Sequence, residues 1–134
     1  MIPTDSPQPQ KRRNTYDSIS KAFCCAISGF WLALRSEPHM RFHLIAAGVA
    51  IVMGLYFSIS ALAWGLVLLS IGMVLLSELM NTAIEITLDI VMPTPHPKVK
   101  AAKNIAAAAV WVSAMIASII GSLIFVPKFI RLFT

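Results

Sequence analysis

Apolar residues fall along this chain in long uncharged runs broken by short polar punctuation, and the run lengths dictate the architecture. Leu44 to Ser77 is a stretch of 34 residues without a formal charge. One helix of that length would measure about 51 Å against a hydrocarbon core of about 30 Å, so the chain must fold back within it. Phe57-Ser-Ile-Ser-Ala61 offers the turn, with a serine to N-cap the next helix. The pattern predicts one span over roughly 39–57 and a second over roughly 61–91. Pro93-Thr-Pro-His-Pro97 stops the second firmly. A third, over roughly 98–126, begins with Lys98, Lys100 and Lys103, runs apolar from Ile105 to Val126 and is expected to end at Pro127. The run Ala22 to Leu34 has 13 residues, too few for a bilayer that needs about 20. Ile19, Phe23, Ile27, Phe30 and Leu34 recur there at helical spacing, which predicts an amphipathic interfacial helix. Pro38 disfavours helix at Glu37 and predicts a bend.

The second span is not uniformly apolar. After the uncharged run come Glu78, Asn81, Glu85 and Asp89, which on an α-helix fall within an arc of roughly 80°. An ionised side chain at mid-bilayer costs about 2.5–3.5 kcal/mol, so three carboxylates on one stripe must face protein, water or a cation. With hard oxygen ligands only, the cation to expect is Mg²⁺ or a similar ion carried by a phosphate-bearing substrate. The plainer alternative is a polar stripe that holds helices together.

Composition agrees with a membrane protein of one small domain. The chain has 134 residues, 57% of them hydrophobic and 13% charged, with a mean hydropathy of +0.77; a soluble core of this size cannot hide so much apolar surface. Eleven basic residues against six acidic ones suit anionic head groups and phosphates. No aromatic-interleaved basic patch is present, so no nucleic-acid partner is expected. Residues 1–14 are polar, Pro-rich and basic at their end, and predict a disordered tail ahead of a membrane domain over 15–134. No convincing signal-peptide cleavage site follows the first apolar run. Cys24 and Cys25 are adjacent and read as reduced thiols.

Basic residues also predict orientation. Lys11, Arg12, Arg13, Lys21, Arg35 and Arg41 precede the first span, and Lys98, Lys100 and Lys103 sit in the second loop. These nine oppose Lys128 and Arg131 beyond the third span, which places the N-terminus and the 93–103 loop in the cytoplasm. Glu37, Arg41, Glu85, Asp89 and Lys103 then lie near the cytoplasmic face, with Glu78 deeper.

No Gly-rich phosphate loop occurs, and no Ser-His-Asp arrangement is apparent. His39 and His43 flank Arg41, and His96 sits between prolines; each alone reads as a surface or packing histidine. A carboxylate in the apolar part of a helix can instead take a proton from an alcohol. Carboxylates one and two turns away can hold Mg²⁺ on a triphosphate, while a lysine neutralises the transferring phosphoryl group. Together these parts describe a lipid-alcohol kinase.

Glu78-Leu-Met-Asn-Thr-Ala-Ile-Glu85 with Asp89 resembles the signature of the small prokaryotic integral-membrane diacylglycerol kinases and undecaprenol kinases. The resemblance covers about residues 18–128 and includes Lys21-Ala-Phe, Gly29, Ser36-Glu37, Met40-Arg-x-His43, His96-Pro, Ala102-Lys103 and Phe125-Val-Pro-Lys128. It implies an all-α homotrimer in the bacterial inner membrane, each protomer with a surface helix and three transmembrane helices, and active sites shared between protomers. By matching position, Glu78 would be the general base on the lipid hydroxyl, and Glu37 and Glu85 would hold the divalent ion on ATP. Asn81 and Asp89, with Arg41, would support the site. Lys103 would meet the phosphates, and the 94–96 stretch, His96 included, would lie near the nucleotide. Asn104 departs from the family, which usually carries Asp there; the amide keeps shape but removes a charge from the nucleotide side. His43 and the Pro-Lys ending look more like the undecaprenol branch, with diacylglycerol the other candidate acceptor. A degenerate, non-catalytic relative is the opposing reading.

Overall fold

The computed structural model describes residues 15–133 and is built from four helices: α1 (Thr15–Ser36), α2 (Pro38–Tyr56), α3 (Ala61–Val91) and α4 (Pro97–Ile130). The predicted tail over 1–14 lies outside the described residues. The chain divides into two units, 1–32 and 33–134. In the first, α1 exposes Ile19, Phe23 and Ile27, a row at helical spacing.

In the second unit the helix ends follow from local chemistry. Glu37 is extended because Pro38 follows it, and Pro38 then opens α2 as its first residue. The Arg41 guanidinium donates to the carbonyls of Leu34 (3.0 Å) and Arg35 (2.6 Å), satisfying groups that a helix end leaves unpaired. Between α2 and α3, Ser58 takes a positive φ of 46° and the Ser60 hydroxyl accepts from the Ala63 amide at 3.3 Å. His96 caps α4, its Nδ1 accepting from the Lys98 amide at 3.2 Å.

Three helices, α2, α3 and α4, are long and apolar enough to cross a membrane. α3 is the central element, packed extensively on α4 and over a shorter stretch on α2. The core is small: Ile59, Val67 and Phe125 form its buried centre, with Trp64 and Phe57 packed around them. A Cβ at Gly54 would come within 2.7 Å of the Trp64 ring, so glycine is what allows α2 to meet that indole. Most large apolar side chains of the three long helices instead face outward, the arrangement expected when lipid is the solvent.

One boundary differs from its expectation. α4 does not end at Pro127 but continues to Ile130. Proline gives up its own N–H and its ring crowds the carbonyl four residues back, so its cost falls on the preceding turn, while its fixed φ is helical. The residues after it keep their own N–H groups, and the Arg131 amide reaches the Pro127 carbonyl at 3.3 Å.

Candidate active site

The acid-bearing stripe of α3 begins with Glu78, which is buried to 2% exposure. The titratable side chains close enough to act on it electrostatically are His43, His39, Glu37 and Glu85. The bend before α2 and the first turns of that helix thus bring Glu37, His39 and His43 to the same carboxylate that Glu85 approaches from two turns along α3. Thr82, one turn beyond Glu78 and also buried, donates its hydroxyl to the Glu78 carbonyl at 3.0 Å. Its hydroxyl proton is therefore committed to the helix.

Asn81 and Glu85 form a pair, Nδ2 donating to Oε1 at 3.0 Å. That bond fixes the amide's direction, and its other end, Oδ1, is buried with no hydrogen-bond partner among the described residues. A buried unpaired acceptor costs about 1–3 kcal/mol, so an oxygen in this position takes its partner from outside the described residues. No three His, Cys, Asp or Glu side chains converge into a metal cage among the described residues. Two carboxylates and an amide oxygen are, however, the hard donors that suit Mg²⁺, which is usually held by one or two carboxylates plus waters and substrate phosphates.

Toward the other end of the stripe, Asp89 pairs with Lys103 of α4 at 2.6 Å across the Pro-rich connection. This pair borders a cleft of about 630 Å³ whose lining includes His96, Lys100 and Asn104. Asp89, His96, Lys103 and Asn104, four residues singled out from the sequence, therefore share one cleft. Glu85, Asn81 and Glu78 continue the same stripe of α3 from Asp89 into the apolar zone. Arg41 belongs to neither group, its guanidinium being turned to the α1 carbonyls. Sequence reasoning passed over His39 and His43 as neighbours of Glu78. Their spacing of four residues, which puts both on one face of α2, was the available signal.

The prokaryotic diacylglycerol kinase family profile matches residues 24–125, about three quarters of the sequence. The chain belongs to that family. It is 42% identical over 116 residues to an undecaprenol kinase of Bacillus subtilis, covering 87% of this chain and 94% of that one. It is 32% identical over 108 residues to a diacylglycerol kinase of Pseudomonas aeruginosa, covering 81% and 88%. A diacylglycerol kinase of Synechocystis is 27% identical over 138 residues, covering 98% and 79%. Membership makes this chain a lipid kinase of the membrane, and the long apolar helices are its transmembrane part.

Proposed function

We propose that the chain transfers the γ-phosphoryl group of ATP to the terminal hydroxyl of undecaprenol, with Glu78 as general base. The observation that carries the mechanism is a carboxylate at 2% exposure inside a membrane helix, within electrostatic reach of two histidines and two further carboxylates. A buried acid without a chemical task is costly to keep in an apolar span. The hydroxyl oxygen attacks the γ-phosphorus while Glu78 takes its proton; the new O–P bond forms as the bond to the β-phosphate oxygen breaks, and ADP leaves. The proton then returns from Glu78 to solvent.

Glu85, Glu37 and the Asn81 amide oxygen would hold a divalent ion, which neutralises phosphate charge when bound. The 89–104 cleft suits the nucleotide, with Lys103 and Lys100 for phosphate charge and His96 and Asn104 on its lining. Asp89 holds Lys103 in place at that edge. Undecaprenol is favoured as acceptor by the 42% identity to the Bacillus subtilis enzyme over nearly its whole length.

The outward apolar faces of α2–α4 fit a homotrimer set in the bacterial inner membrane, and the exposed row on α1 fits a helix lying at its surface. The nine-to-two basic asymmetry puts the N-terminus in the cytoplasm and the C-terminus outside. Purified protein in lipid bilayers, given radiolabelled ATP and separate lipid alcohols, tests the activity. Label on undecaprenol well above that on diacylglycerol is expected. The reverse order would refute the acceptor, and no label on either would refute the catalytic reading.

A further inference from the structure

A groove of about 260 Å³ runs between α2 and α4 over the face of α3. Short side chains on both flanking helices, among them Ala46 and Ala50 of α2 and Ala114, Ala117 and Gly121 of α4, leave space between the helices. One end is blind: Val67 and Phe125 line it and are themselves packed with Ile59 in the buried core. The other end is lined by His43 and Leu75. His43 is among the groups that act on Glu78, and Leu75 precedes Glu78 by about one turn, so the groove leads to the carboxylate.

The lining offers no proton to an oxygen-bearing lipid along its length. Its polar side chains below His43 are Ser70 and Ser118. The Ser70 hydroxyl donates to the Leu66 carbonyl at 2.7 Å, and the Ser118 hydroxyl to the Ala114 carbonyl at 2.8 Å. A hydrocarbon loses nothing here, whereas an ester carbonyl would be stripped of water without gaining a donor. At roughly 30 Å³ per small group, the space holds about nine carbon-sized groups, or about two isoprene units.

We infer that this groove seats the two or so isoprene units next to the hydroxyl of a polyprenol, and that it selects against diacylglycerol by leaving ester carbonyls unpaired. The selectivity rests on the undecaprenol reading above, while the binding does not require turnover. Diacylglycerol carries two ester groups beside the reacting hydroxyl and two chains where the groove admits one. The polyprenol carries neither feature.

Full-length protein in phosphatidylcholine bilayers, with a farnesol-type prenol bearing a diazirine on its second isoprene unit, tests the site without ATP. Illumination should label residues within 42–50, 67–75 or 114–125, and excess undecaprenol should remove the label while excess diacylglycerol leaves most of it. Label elsewhere, label that undecaprenol does not displace, or label that both lipids displace equally would overturn the inference. Groove labelling in a protein that phosphorylates no prenol would sink the proposed acceptor and leave the groove standing. A Cβ at Gly121 meets nothing within 4 Å, and Gly121 lies one turn from Phe125 in the blind half. Gly121→Leu should therefore cut kcat/KM for undecaprenol about tenfold or more, while a one-isoprene alcohol stays within about twofold. Equal losses on both acceptors would contradict a chain-binding groove.

Discussion

The two ends of the helical unit are assembled on opposite principles. At the α2–α3 turn the contacts are apolar and close: Gly54 under Trp64, Ile59 with Val67 and Phe125, and the Phe57 ring against those of Phe125 and Phe129. The charged contact recorded there, Lys128 Nζ donating to the Phe57 carbonyl at 3.4 Å, ties α4 to the turn. At the opposite end acids, histidines and lysines gather, a buried amide oxygen has no hydrogen-bond partner among the described residues, and a wide cleft opens. One end is closed by its own packing; the other is where the proposed chemistry is seated. Stability and chemistry are thereby assigned to different ends of the same helices, and variants can address one without the other.

The largest effect is expected at the chemical end. Glu78→Gln keeps shape and hydrogen bonding but cannot act as base, so turnover should fall by a factor on the order of 10² or more with assembly and ATP binding retained. If the purified variant keeps more than about a tenth of parental turnover, Glu78 is a structural residue and the division fails. Next come Glu37→Gln and Glu85→Gln, each expected to raise the Mg²⁺ needed for half-maximal rate by about tenfold, as loss of a charged ligand implies. Unchanged Mg²⁺ titrations in both would remove them from the ion site.

At the packed end, Gly54→Leu drives a side chain into Trp64 and should cost about 1–3 kcal/mol, read as a lower Tm in detergent. Below that Tm its KM for ATP should match the parent's, and a large rise in KM would show that the two ends are coupled. The smallest change is Asn104→Asp in the cleft, expected to lower the KM for ATP a few-fold in the presence of Mg²⁺. A KM that stays put would mean the missing charge has no bearing on nucleotide binding.

Much of this division was legible in the sequence, because its causes are local. Proline at 38, 93, 95 and 97 and serine at 60 mark helix ends through their own backbone chemistry. The stripe from Glu78 to Asp89 needs only helical period to be seen. What could not be read depends on packing between helices. Arg41 counted as one more basic residue near the site until the fold turned it toward the Leu34 and Arg35 carbonyls. His39 and His43 gained meaning only once α2 was laid against α3. The groove has no sequence signature, since it is the space left by alanines on two helices far apart in the chain. Pro127 misled because a proline that breaks a helix interior is harmless a few residues from its end.

The lone acceptor of Asn81 also has a thermodynamic reading. A folded state that carries an unsatisfied buried oxygen is less stable than its packing allows, by about 1–3 kcal/mol. Whatever coordinates that oxygen gives the deficit back, so ligand affinity and resistance to unfolding draw on the same oxygen atom. Asn81→Leu removes that oxygen together with the Nδ2 donor to Glu85, opposing effects on its own Tm, and should gain less than the parent from added Mg²⁺ and nucleotide.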